Sequence, residues 1–319
     1  MKTFFVSSCA VALACLGSAV SAEPFPPVSP QFITIGENNL VPGGEPSEIA
    51  LQTVPLARAT AFFSTLRQEA IEARYIIGSC EDRAHYIAMM AQRAGLSVGK
   101  VWAIAPARYT LLSRELIRVS DPSGITEQVT WGHHVAPVLR VDRGQGDVRT
   151  VVIDLAFHGS GFLDLDEWTG RLGPRALFFF TGADMWLFNS LDALQVSDPR
   201  PANDRNRRSD DPASVTMPRW MPNILTGQFM RYDPQIHNKY ISAGMAQDDI
   251  AMRVFTGLAT YPETDRSGLR NLLQTEDGVK SLVADGPVTG VSAGTQRALQ
   301  SYYRTRESHW AARLAALNR

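Results

Sequence analysis

Apolar side chains at Leu56, Ala59, Phe62, Phe63, Leu66, Ala70 and Ala73 recur every three or four residues, and this spacing predicts an amphipathic helix from Leu56 to Tyr75. A second helix is expected from Cys80 to Ala94, with the stripe Ala84, Ile87, Ala88, Ala91 and Ala94, and Gly95 as its C-terminal stop. The period then changes to two. Val98 to Ala105, Gln128 to Val141 and Arg149 to Ala156 are rich in β-branched and aromatic residues and read as strands. The run Asp142-Arg143-Gly144-Gln145-Gly146-Asp147 between the last two is a hairpin turn, which makes those strands antiparallel neighbours. Leu163 to Trp168 offers aspartate caps to a short helix, and Ala176 to Phe180 is a further buried-strand candidate. Helices followed by strands give an α+β fold with an antiparallel sheet.

The second half differs in kind. Ala246 to Thr260 and Ser292 to Leu317 read as helices, the last with Leu299, Tyr303, Arg306, Trp310 and Leu314 down one face. Between the halves, Ser197 to Trp220 is rich in proline, arginine and aspartate and lacks apolar periodicity, the mark of a linker or long loop. The chain thus divides into an extended N-terminal segment at 23–55, an α+β unit at 56–196, the linker at 197–220 and a mainly helical region at 221–319. No internal repeat or low-complexity tract interrupts this plan. Nothing after residue 220 spells a catalytic motif, and packing, shielding or partner contact are the roles expected of it.

The first 22 residues stand apart. Lys2, an apolar run from Phe4 to about Val20, and Val20-Ser21-Ala22 before Glu23 predict a signal peptide cleaved near Ala22 and a periplasmic or secreted protein. The run is too short for a membrane span, so no stable membrane insertion is expected. Cleavage would remove Cys9 and Cys15 and leave Cys80 as a lone thiol, without an intramolecular disulfide. A lone thiol in an oxidising compartment is either buried and inert or kept for its chemistry. With 31 basic against 32 acidic residues and no long single-sign run, nothing points to nucleic acid.

Cys80 opens a predicted helix, where unpaired N–H groups and the dipole favour a thiolate and the oxyanion of a tetrahedral intermediate. Such a sulfur needs an imidazole partner. His85 is excluded, because five helical positions turn it about 140° from Cys80. His133 and His134 are neighbours on a strand and face opposite sides, so one of them is expected to meet the thiol. Asp154, across the hairpin, can hold the second ring nitrogen and fix the tautomer, as in a Ser-His-Asp arrangement. Each residue also has a structural reading: a small buried hydrophobe for the cysteine, a surface and a core residue for the histidines, a turn residue for the aspartate. Zinc is a weak competitor, since adjacent strand histidines diverge and there is no Cys-x-x-Cys or His-x-x-x-His.

The strings Cys80-Glu81-Asp82-Arg83-Ala84-His85, Trp131-Gly132-His133-His134-Val135-Ala136-Pro137 and Val152-Ile153-Asp154 resemble the bacterial secreted protein-glutaminase family. Its pattern is Cys-x-x-Arg-Ala-His, Trp-x-x-His-Val-Ala-Pro and Val-Ile-Asp, in that order, and the stretch from Leu163 to Leu172 around Trp168 is similar too. The resemblance spans roughly residues 70 to 175. It implies a papain- and transglutaminase-like fold in which a Cys-His-Asp triad deamidates glutamine side chains of proteins and peptides, with no metal or organic cofactor. By position in the motif, Cys80 is the nucleophile, His134 the base and Asp154 the orienting residue, with His133 at a variable position. A cysteine peptidase or a transglutaminase would share the triad. An exported binding or assembly module would keep the fold without the chemistry.

Overall fold

The computed structural model describes residues 31–35, 40–42, 51–106, 114–159, 161–173, 175–188 and 229–319; the apolar N-terminal run and the linker at 197–220 lie outside them. In chain order the first half supplies β1 (Gln31–Ile35), β2 (Leu40–Pro42), β3 (Thr53–Pro55), α1 (Leu56–Gln68), α2 (Cys80–Arg93), β4 (Gly99–Ile104), β5 (Ile117–Ser120), β6 (Gln128–Trp131), β7 (His133–Asp142), β8 (Val148–Val152), β9 (Leu163–Asp164), α3 (Leu165–Leu172), β10 (Leu177–Gly182) and β11 (Met185–Phe188). The second half adds β12 (Phe229–Arg231), α4 (Pro234–Thr256), α5 (Glu263–Leu272), α6 (Glu276–Val283) and α7 (Ala293–Leu317). The fold is α+β: one mainly antiparallel sheet ordered β2-β1-β10-β4-β7-β8-β9, with helices packed against it and a helical C-terminal region.

Strand β7 is the centre of the sheet. It pairs with β4 along His133–Val138 and with β8 along Val138–Asp142, while β3 takes up the stretch Arg140–Asp142 on its free edge. Residues 134–139 are buried on both faces, as expected of a central strand. Pro137 lies within this strand although it cannot donate to a ladder. Its carbonyl accepts from the Ile153 N–H at 2.9 Å, so the proline still ties down the residue immediately before Asp154.

Several predicted boundaries move, each for a local reason. Helix α1 stops at Gln68 rather than running to Tyr75, because Ala70 turns into the left-handed region at φ 51°. The chain beyond it carries Tyr75 away, to a buried site where its hydroxyl donates to the Leu273 carbonyl at 3.2 Å. The predicted strand from Gln128 to Val141 is two strands in different sheets, separated at Gly132; β6 pairs with β5 and β7 with β4. Strand β8 ends at Val152, since Asp154 opens a turn whose carbonyl accepts from the Phe157 and His158 N–H groups. Asp164 occupies the N-cap position of α3, yet its carboxylate pairs with Arg143 of the hairpin turn instead of capping the helix. Sequence reading also missed α5 and α6, whose apolar positions are few, and placed the start of α4 twelve residues too late.

The core crosses from one half of the chain to the other. One cluster joins Phe62, Leu66, Tyr86 and Ile87 of α1 and α2 to Ile241, Met245, Trp310 and Leu314 of α4 and α7. Trp310 meets Tyr86 edge-on at 5.3 Å, and its indole N–H and Arg306 both bond the Asp249 carboxylate at 2.7 Å. Where α4 crosses α2, the crossing residue is Gly244. Ser79 Oγ donates to its carbonyl at 3.2 Å, and Asp82 packs over its Cα while accepting from the Trp186 indole at 3.0 Å. Burial pushes the Asp82 carboxyl up to about 8, so it is mainly protonated at neutral pH.

A Cβ at position 244 would lie 1.9 Å from Asp82 Oδ2 and 3.2 Å from Ser79 Oγ, both at the start of α2. Gly244→Ala is therefore expected to cost about 1–3 kcal/mol by overpacking. Combined with Asp82→Ala, the penalty should shrink, giving a non-additive double-mutant cycle in denaturant melts. Additive costs would mean that the close approach is not what selects glycine.

Candidate active site

Helix α2 begins at Cys80, preceded by Ser79 in the left-handed conformation at φ 59°. The bend this imposes presents the first turn of the helix to the end of β7. Cys80, Arg83, His134, Val135, Ile153 and Asp154 line one small cavity of about 20 Å3, room for a molecule the size of water or ammonia. The three residues singled out by sequence thus come together on one cavity.

His134 is the best-defined member of the group. Its Nε2 meets Asp154 Oδ2 at 2.7 Å, and the ring stacks on Trp131 at 4.3 Å, with Trp168 on another side at 5.9 Å. Nδ1 has no hydrogen-bond partner within this buried ring environment. The imidazole is therefore oriented by one nitrogen and unpaired at the other. Trp131 is held in turn, since its indole N–H donates to the Ile76 carbonyl at 2.8 Å.

Asp154 serves the turn and the ring together. Oδ2 accepts from His134 and from the Trp168 indole at 2.8 Å, while Oδ1 accepts from the Ala156 N–H at 3.1 Å. Burial works against its charge, but the His134 interaction and the Trp168 hydrogen bond outweigh it and hold the carboxyl below its ordinary range. The indole N–H of Trp168 is a partner that the sequence did not assign. The available signal was a tryptophan beside acidic residues in a short amphipathic helix, which does not by itself point at Asp154.

The thiol is held differently from the expectation. Sγ donates to Glu81 Oε2 at 3.3 Å, and Glu81 Oε1 meets His133 Nε2 at 3.0 Å. Glu81 is itself ionised: burial opposes this, but the His133 hydrogen bond brings it down to about 2. Burial and this adjacent carboxylate push the Cys80 thiol well above its usual value, against the helix terminus and a backbone hydrogen bond from Val135. The resting sulfur is a protonated thiol. His133 also departs from the expectation that only one histidine reaches the cysteine. Strand alternation does send the two rings to different partners, yet His133 is the first residue of β7, after the bend at Gly132, and one of its ring nitrogens lies within 4.8 Å of the sulfur.

The remaining motif residues have structural partners. Arg83 is buried against Asp248 of α4 and donates to the Tyr75 carbonyl at 3.2 Å; burial disfavours its charge, but the Asp248 carboxylate raises its pKa further. His85 turns away from Cys80, as its helical position predicts, and meets Lys100 Nζ at 2.8 Å against the Tyr232 ring. Burial brings Lys100 down to about 7.

Because an ionised carboxylate beside a thiol disfavours the thiolate, Glu81→Gln should lower the pH midpoint of Cys80 alkylation by iodoacetamide by at least about one unit. An unchanged midpoint in the folded variant would remove Glu81 as the cause.

Comparison with known proteins follows the same span. A family model described as Glutaminase matches residues 57–172, a little over a third of the chain. No curated protein matches. Among solved structures, a crystal structure of protein-glutaminase is similar at 18% identity and a TM-score of 0.37, over 44% of this chain and 79% of that one. The NMR structure of protein-glutaminase from Chryseobacterium proteolyticum is similar at 16% identity and a TM-score of 0.36, over 42% and 75%. A crystal structure of pro-protein-glutaminase is similar at 17% and 0.36, over 45% and 53%. The segment that contains Cys80, His134, Asp154 and Trp168 is thus the part of the chain similar to the glutaminase family described by that model.

Proposed function

We propose that this protein is a protein-glutamine deamidase, a hydrolase that converts glutamine side chains of proteins or peptides to glutamate and ammonia through a thioester on Cys80. The observation that carries the reading is the His134 ring: Nε2 is engaged by Asp154, Nδ1 has no hydrogen-bond partner, and His134 and Cys80 line one cavity. The glutaminase match over the same residues supports the choice of substrate.

In this mechanism His134 Nδ1 takes the thiol proton as the sulfur attacks the γ-carboxamide carbon. General-base removal fits a resting thiol better than a preformed thiolate would. The C–S bond forms, and first-turn N–H groups of α2 stabilise the oxyanion. Collapse breaks the C–N bond, with the imidazolium proton passing to the departing ammonia. Water, deprotonated by the same nitrogen, then cleaves the thioester to glutamate and restores the thiol. No metal or organic cofactor takes part. Asp154 holds the ring and stabilises the imidazolium. The N-terminal apolar run with Val20-Ser21-Ala22 supports export to the periplasm or beyond, and among the described residues no helix is long and apolar enough to cross a membrane.

Incubation with a glutamine-containing protein should release ammonia and add about one dalton per site to the substrate, the mass of replacing NH2 by OH. Peptide fragments would instead indicate a peptidase, cross-links a transglutaminase, and no change a binding module. Cys80→Ser and Cys80→Ala should abolish turnover in folded protein, since neither supplies a thiolate. His134→Ala should be nearly as severe and His133→Ala mild. The reverse order of the histidines would move the base to His133.

Asp154→Asn should lower kcat by orders of magnitude by favouring the wrong tautomer. It should also lower Tm, because an amide N–H placed at Oδ2 would face the Trp168 indole N–H. Trp168→Phe removes one hydrogen bond to a charged group, worth about 1.5–3 kcal/mol, and should depress kcat in the same direction but less. Wild-type kcat per folded molecule in both variants would reduce Asp154 and Trp168 to structural residues.

A further inference from the structure

Beside the ring that faces Asp154 lies a second constellation, on the outer side of the same sulfur. Cys80, Glu81 and His133 present a thiol sulfur, a carboxylate oxygen and an imidazole nitrogen that all lie within 4.8 Å of one another. Two of the separations are known closely: 3.3 Å from Sγ to Glu81 Oε2 and 3.0 Å from His133 Nε2 to Glu81 Oε1. A tetrahedral zinc ion with bonds of about 2.0–2.3 Å requires ligand atoms about 3.3–3.6 Å apart. The existing spacing is thus close to that of a zinc site, and small side-chain rotations complete it.

We propose that Cys80, Glu81 and His133 form a divalent-metal site of the zinc class, whose occupation masks the nucleophile. The donor set excludes calcium and magnesium, which take oxygen ligands, and suits zinc or cobalt, which accept sulfur and nitrogen. Access is open: the side chains of His133 and Glu81 are 29% and 18% exposed and border a groove of about 330 Å3 that also reaches Cys80. Among the described residues no lysine or arginine lines that groove, and Glu276 adds a carboxylate at its edge, paired with Lys280. Three protein ligands leave the fourth tetrahedral position to solvent or to a substrate group. His134 is not a member of this group, and its Nε2 is bonded to Asp154.

Binding exchanges a proton for a metal. The Zn–S bond forms as the thiol proton leaves to buffer, the imidazole contributes a nitrogen lone pair, and nothing is oxidised or reduced. A sulfur bonded to zinc no longer has its electron pair free for a carboxamide carbon. The masking rests on Cys80 being the nucleophile; the metal site itself does not.

The test uses the full chain, freed of metal by chelation. Titration with Co2+ should give visible ligand-field bands at one equivalent, with a near-ultraviolet thiolate-to-cobalt charge-transfer band that Cys80→Ser abolishes. Competition with a chromophoric chelator should then show Zn2+ binding weakened at least tenfold in His133→Ala and in Glu81→Gln, with folding checked by circular dichroism. His133→Gln, closer in size, replaces His133→Ala if the latter misfolds. Zn2+ should stop ammonia release in wild type, and EDTA should restore it. Absence of the charge-transfer band, or wild-type affinity in folded variants at 81 and 133, overturns the site. Loss of turnover does not affect these spectra, so a protein that binds cobalt through the thiol but releases no ammonia would refute the deamidase reading and leave the metal site standing.

Discussion

The Asp154 carboxylate is the interaction on which this architecture turns. A buried anion costs several kcal/mol unless its oxygens are met by donors. Three meet it here: the His134 imidazole, the Trp168 indole and the Ala156 N–H. Each donor comes from a different element, β7, α3 and the turn after β8, so the charge can be buried only when strand register and helix placement are both correct. Its pKa lies lower in the fold than in the unfolded chain, where it would be about 3.9. The stabilisation is therefore present above that value and lost as pH falls through the folded one.

Much of this was legible in sequence because it depends on short-range periodicity. The two-residue alternation of β7 placed His133 and His134 on different partners, and the turn residues from Asp142 to Asp147 brought β8 alongside, which put Asp154 within reach of His134. Helical phase removed His85 correctly, and the structure gives it Lys100 as a partner. What failed were inferences that needed tertiary contacts. Nothing local reveals that Tyr75 leaves its helix for a site among the C-terminal helices, or that Trp168 donates to Asp154.

Cys80 shows how a sound local argument can be outweighed. A helix terminus does sit under the sulfur, and one such terminus contributes typically 0.3–1 kcal/mol toward an anion. A carboxylate at hydrogen-bond distance in a partly buried site is a stronger influence of opposite sign, and Glu81 lies one residue away in the same string that carries the thiol. Glu81 was visible in the sequence, but its rotamer was not. Its position between the thiol and His133 follows from where β7 begins, at the break after Gly132 that periodicity did not place.

The C-terminal helices pack around a cluster that includes Ile250, Val254, Leu269, Leu282 and Leu299, and they are tied to α2 by a few specific contacts. Arg83, one turn beyond Cys80, is buried, and an isolated buried guanidinium is not tolerated without a counter-charge. Asp248 on α4 supplies it, and Gly244, one turn earlier on α4, allows the close approach that the pairing needs. Trp310 on α7 then covers Tyr86, one turn beyond Asp82 on α2. The arginine of the cysteine motif therefore ties the start of α2 to α4. Residues beyond 230 thus reach the candidate site through α2, whose first turn they contact at Ser79, Asp82 and Arg83.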